Sequence, residues 1–97
     1  MEFRKGILFI RLKGDLNKDT IKGIIDKDFK YVVLNIDDMY SIDSYSIKYL
    51  NKIYRLYENN NNKFIICDKF NVSRKLLRDI PKIYREYDAF ELFERMI

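Results

Sequence analysis

The chain has 97 residues, enough for one hydrophobic core and one domain over residues 1–97. Its balance of 47% hydrophobic, 15% aromatic and 35% charged residues excludes a disordered chain. Nineteen basic against fifteen acidic side chains give +4, a mildly basic and interspersed charge that permits contact with nucleic acid or a membrane surface but argues for neither.

In chain order, residues 2–5 and 7–13 predict two strands, with Gly6 as a hairpin turn between them and Gly14-Asp15 ending the second. Asn17 or Asp19 is placed to cap a helix over about 18–26, with Ile21, Ile24 and Ile25 on one face and Gly23 weakening it. Tyr31-Val32-Val33-Leu34-Asn35-Ile36 is almost continuously apolar, as a strand covered on both faces is, and Asp37-Asp38-Met39-Tyr40 follows as a turn. From about 44 to 57, Ile47, Leu50, Ile53 or Tyr54, and Tyr57 recur at helical spacing. Asn59-Asn60-Asn61-Asn62 is a turn before a second buried strand, Lys63-Phe64-Ile65-Ile66-Cys67.

A helix is predicted over 71–79, with Val72, Leu76 and Ile80 inward and Arg74, Lys75 and Arg78 outward. Pro81 disfavours helix at residue 80. Residues 82–87 alternate like an edge strand. Asp88 then caps a last helix, with Glu91 as its capping-box partner and Phe90 or Leu92, Phe93 and Met96 buried. The order is that of an α/β fold: a mixed sheet of four to five strands with about four helices packed on it. Its parallel pairs are joined by right-handed crossovers, and its first two strands form an antiparallel edge.

Much chemistry is excluded by composition. There is no histidine, hence no imidazole base, ligand or triad. The one cysteine, Cys67, lies in an apolar run and reads as a buried, inert thiol. The three glycines build no phosphate loop. No metal site, cofactor or enzymatic activity is expected. The aromatic residues fall at core-facing periods. Arg74, Lys75, Arg78, Lys82 and Arg85 read as a solvated face before a nucleic-acid contact. No apolar run is long enough to cross a membrane, and the first residues lack the apolar stretch of a signal peptide, so no membrane insertion and a cytoplasmic location are expected.

Ser41-Ile42-Asp43-Ser44-Tyr45-Ser46 marks the passage from a buried strand to an amphipathic helix, where α/β sheets expose functional groups. Short oxygen-bearing residues there are first of all helix caps. The same geometry suits a switch. A phosphate on an outward serine adds about −1.5 to −2 charges, which a helix N-terminus tolerates and a desolvated protein interface does not.

Along nearly its whole length the chain resembles the STAS family, which sulfate transporters and anti-sigma factor antagonists share. Ile7-Leu8-Phe9-Ile10-Arg11-Leu12-Lys13-Gly14-Asp15-Leu16 is similar to the family's first core strand, which ends in Gly-Glu-Leu-Asp. Tyr31 to Met39 resembles its hydrophobic strand and turn. Ile42-Asp43-Ser44 resembles the start of its Asp-Ser-Ser/Thr-Gly motif. Phe64-Ile65-Ile66-Cys67 with Val72-Ser73-Arg74-Lys75-Leu76-Leu77 resembles the next strand and basic helix.

The resemblance implies a STAS-like regulator that binds an anti-sigma factor serine kinase and is released when Ser44 is phosphorylated. It implies a partner-binding set of Asp15, Asn17, Asp43, Ser44, Tyr45, Ser46 and Ile47, on a monomer or weak dimer. The chain departs from the family at Tyr45, where Ser or Thr is usual, at Ser46, in place of the motif glycine, and at Asn17, in place of an acid. The alternative is a scaffold or accessory subunit of the same fold that is never phosphorylated.

Overall fold

Lys5 and Gly6 both take left-handed φ angles, 50° and 81°, the pair a two-residue type I′ hairpin requires. That turn folds β1 (Glu2–Arg4) antiparallel onto β2 (Ile7–Leu16). The computed structural model describes residues 1–21 and 29–95, and the predicted core positions Ile24, Ile25 and Met96 lie outside them. Then follow α1 (Lys18–Ile21), β3 (Tyr31–Ile42), α2 (Ser44–Asn59), β4 (Lys63–Cys67), β5 (Lys82–Ile83) and α3 (Tyr87–Glu94). The sheet order is β1-β2-β3-β4-β5, with every pair after the first parallel.

Strand alternation sorts the apolar residues into two layers. Leu8, Ile10, Val32, Leu34, Phe64 and Ile66 point to the face that α2 covers with Leu50 and Tyr57. Ile7, Phe9, Val33, Ile65 and Cys67 point to the opposite face, covered by Ala89 and Phe93 of α3. Helices on both faces are why these strands read as nearly continuous apolar runs. Cys67 is 1% exposed, and burial pushes its thiol up to about 12.

The strand ends differ from expectation. Gly14 does not end β2. It takes φ +82° where the pairing with β3 shifts register, and the strand continues through this bulge to Leu16. Likewise 37–40 is not a turn. β3 runs to Ile42, because the prolonged β2 gives it partners, Lys13↔Asp38 through Leu16↔Ile42. β4 pairs with β3 only as far as Asn35↔Cys67, so β2 and β3 project beyond the sheet as a two-stranded ribbon.

Residues 71–79 form no helix. The Asp68 carboxylate accepts the amides of Val72 (3.1 Å) and Ser73 (2.8 Å) and the Ser73 hydroxyl (2.6 Å). This starts one helical turn, closed by Leu77 N–H donating to Ser73 C=O at 2.8 Å, before Pro81 ends any continuation. Ser73, Leu77 and Ile80 face inward, while Val72 and Leu76 face solvent. The described residues therefore hold three helices rather than four. The edge strand shrinks from 82–87 to Lys82–Ile83.

Asp88 is not a cap. It lies in the first turn of α3 and accepts from the Arg85 amide and guanidinium, which holds its carboxyl below the usual range, and Glu91 pairs with Arg95 instead. At the helix start Glu86 turns to the sheet. Its carboxylate takes a two-pronged contact from Arg11 at 2.8 and 2.7 Å and the Asn35 amide at 2.7 Å.

The Arg11 hydrogen bonds hold the Glu86 carboxyl below its ordinary value. A lowered carboxyl stabilises the fold fully above the ordinary glutamate pKa and loses that contribution as pH falls through the folded value. Arg11 is 45% exposed, so the pair is worth only what partly solvated pairs are worth. Glu86→Gln is expected to cost about 1 kcal/mol at neutral pH. Urea titrations across pH should show the two proteins converging below about pH 4. A gap that persists in acid would assign the effect to packing.

Candidate functional site

At the carboxyl ends of β2 and β3, the register Leu16↔Ile42 brings two helix starts side by side. Asp43 joins them. Its N–H donates to Leu16 C=O at 3.0 Å, fixing it against the end of β2. With φ −89° and ψ 173° it is the extended cap of α2, and its Oδ1 accepts the Ser46 amide at 2.8 Å. That bond holds the Asp43 carboxyl below the usual carboxylate range, with a lesser contribution from the Lys18 amide of α1.

Asn17, not Asp19, caps α1. Its Oδ1 accepts the amides of Asp19 (3.0 Å) and Thr20 (3.2 Å), and its own N–H donates to Thr20 Oγ1 at 2.9 Å. The Thr20 hydroxyl donates in turn to Asp15 C=O at 2.8 Å. The Asp15 carboxylate accepts the Ser41 hydroxyl at 2.7 Å, tying the tips of the ribbon together.

The predicted residues are thus gathered on one rim, but they do not all face out. Asp15, Asp43, Ser44 and Tyr45 are exposed and Asn17 is half-buried. Ser44 is the first residue of α2. Ile47 packs partly against the core under α2. Ser46 is fully buried, and its side chain offers nothing to a visitor. Tyr40 and Lys48 are rim residues that the sequence does not single out, and Ser41 reads there only as part of the strand-to-helix passage. Ser41 and the 77%-exposed Tyr40 reach the rim through the prolonged β3 pairing, which no local pattern announces. Lys48 follows Ser44 by one helical turn and lines a shallow groove with Tyr45, Tyr49 and Lys52.

Ser46 Oγ has no partner within hydrogen-bond geometry, although it lies in the field of Asp43. A buried, unsatisfied hydroxyl is costly, and alanine is the better helix former. Ser46→Ala is therefore expected to stabilise the protein by about 1 kcal/mol, read as a higher urea midpoint at unchanged slope. A lower midpoint would mean that the hydroxyl supports Asp43.

Among the described residues no group of three or more His, Cys, Asp or Glu is arranged to hold a metal ion, and no helix is long and apolar enough to cross a membrane. A hollow lined by Lys5, Ile7, Tyr31, Phe90, Phe93 and Glu94 opens at the other end of the strands, away from Ser44.

No family model matches the sequence, and no curated protein matches it. Among solved structures, the anti-sigma factor antagonist SpoIIAA in its unphosphorylated form is similar, with a TM-score of 0.74. The match covers 100% of this chain and 96% of that one at 15% identity. A likeness at that identity speaks for the fold, and it agrees with the mixed sheet, the antiparallel first pair and the helices on both faces. The chain has a STAS-like fold, the architecture of the anti-sigma factor antagonist SpoIIAA.

Proposed function

We propose that the protein is an anti-sigma factor antagonist-like regulator, not an enzyme. In the cytoplasm it docks an anti-sigma factor serine kinase on the rim formed by Asp15, Asn17, Asp43, Ser44 and Tyr45, and phosphorylation of Ser44 ends the complex. The observation that carries this reading is the position of Ser44. Ser44 is exposed at the first residue of α2, while the neighbouring carboxylate of Asp43 is committed to the Ser46 amide.

A phosphate there sits at the favourable end of the helix dipole, with Lys48 one turn on, so the fold accommodates it. A partner lying over the same helix start has to strip water from a dianion. Asn17 in place of a carboxylate removes a repulsive neighbour of that phosphate. Ser46 acts from within, through its amide alone.

The test is to incubate the full chain with the candidate anti-sigma kinases of its host and ATP. Label is expected on Ser44 and absent from Ser44→Ala. Ser44→Asp should lose at least about tenfold in affinity for the kinase while staying within about 1 kcal/mol of wild-type stability. Equal labelling of Ser44→Ala would displace the site. Unlabelled protein whose Ser44→Asp variant binds as tightly as wild type would point to the constitutive scaffold instead.

A further inference from the structure

The net charge of the chain is not spread evenly. Residues 69–82 hold five cations (Lys69, Arg74, Lys75, Arg78, Lys82) and one acid (Asp79), and the rest of the chain balances fourteen basic against fourteen acidic residues. The whole surplus of +4 therefore falls within residues 69–82, with four of the five cations in the crossing between β4 and β5 and the fifth, Lys82, opening β5 itself. The same stretch presents Phe70, Val72 and Leu76 to solvent, 64%, 49% and 44% exposed.

This is an ordered platform. Asp68 holds the Val72 and Ser73 amides, Asp37 accepts the Lys69 amide at 2.9 Å, and Leu77 and Ile80 are each 1% exposed beneath it. Lys82 is spent inside, donating to Leu77 C=O at 2.5 Å and Ile80 C=O at 2.8 Å. Lys69 lies over the Phe70 ring at 5.1 Å. Among the described residues, none of the cations at 69, 74, 75 and 78 forms an ion pair with an acid.

We infer that the turn between β4 and β5, residues 68–81, is a docking surface for an anionic lipid membrane, with Phe70, Val72 and Leu76 entering the interface and Lys69, Arg74, Lys75 and Arg78 resting on the headgroups. Such a surface attracts cations set around a small apolar tip, and the long basic side chains keep their charge in the headgroup layer while their stems lie among the apolar groups. A protein interface fits less well, because lysine is depleted at interface cores and the anchors there are mainly tyrosine, tryptophan and arginine. Nucleic acid fits less well too, because single-strand binding uses a row of aromatic platforms and this tip has one ring beside two aliphatic side chains. The inference stands apart from the Ser44 reading and shares none of its residues.

The test is sedimentation of the full chain with vesicles of phosphatidylcholine, with or without phosphatidylserine. Binding is expected only with phosphatidylserine and should be released by salt. Lys75→Glu with Arg78→Glu should weaken it about a hundredfold, and Phe70→Ser with Leu76→Ser at least about tenfold. Lys5→Glu with Lys30→Glu makes the same charge change at the far end of the strands and should leave binding within about twofold. All six positions are exposed, so each variant should keep the wild-type circular dichroism and thermal midpoint. No binding to phosphatidylserine vesicles overturns the proposal. So do equal binding to phosphatidylcholine alone, equal loss in the far-end variant, wild-type binding by Phe70→Ser with Leu76→Ser, or tighter binding to a single-stranded oligonucleotide than to the vesicles.

Discussion

Phe93→Ala is expected to remove about 3–5 kcal/mol of stability, a large part of what holds a domain of this size. The reason lies in how weakly α3 is fixed by anything else. It spans only Tyr87–Glu94, has no side-chain cap at its start, and is far shorter than a helix that persists alone in water. What holds it is burial. Phe93 is 2% exposed, stacks on Tyr31 with ring centroids 4.8 Å apart, and closes the second face of the sheet over Ile7, Phe9 and Val33. Cutting the ring back opens a cavity in a layer that, among the described residues, has no other helix to fill it. Urea unfolding should show the loss, and hydrogen exchange should show α3 amides opening before those of α2. Glu91→Ala, on the exposed side of the same helix, should stay within about 0.5 kcal/mol. A Phe93→Ala protein with wild-type protection in α3 would mean that this face is held by something other than packing.

The second large effect belongs to Asp68. Asp68 is 7% exposed, and its carboxylate takes three donors at once: the Val72 amide on one oxygen, and the amide and hydroxyl of Ser73 on the other. Ser73 is itself 1% exposed, so without Asp68 its donors have no water to turn to. Asp68→Ala should cost about 2–4 kcal/mol. Asp68→Asn should recover little of this, since one acceptor becomes an NH₂ group facing an amide donor. Ser73→Ala loses only the hydroxyl bond and should cost about 1 kcal/mol. Chemical unfolding of the three variants checks the order. If Asp68→Asn equals wild type, the network is not what sets this turn.

The same residue explains why sequence reading failed there. Residues 71–79 carry a helical spacing, and Val72, Leu76 and Ile80 make a plausible stripe. Spacing alone has no way of showing what decides the matter. A carboxylate outside the stripe, that of Asp68, captures two amides and turns the chain so that Leu77 rather than Leu76 is buried. Periodicity did reveal α2, β4 and the buried half of β3, because each has a full face against the core. It missed the far half of β3, where only one side has a strand and burial alternates weakly. The rim was legible as a strand-to-helix passage with a cluster of capping residues, Asp43, Ser44 and Ser46, among which the structure makes Asp43 the cap. That Asp15 and Ser41 meet there was not, since their contact depends on a bulge at Gly14 and a register between strands far apart in sequence.

Cys67 gives the molecule a practical property. It is the chain's one thiol, it is 1% exposed, and its low acidity keeps it from the thiolate form at physiological pH. Alkylating dyes should leave the native protein unmarked. A Tyr40→Cys replacement, at a position 77% exposed on the rim, would then carry a fluorophore alone and report directly when something settles beside Ser44.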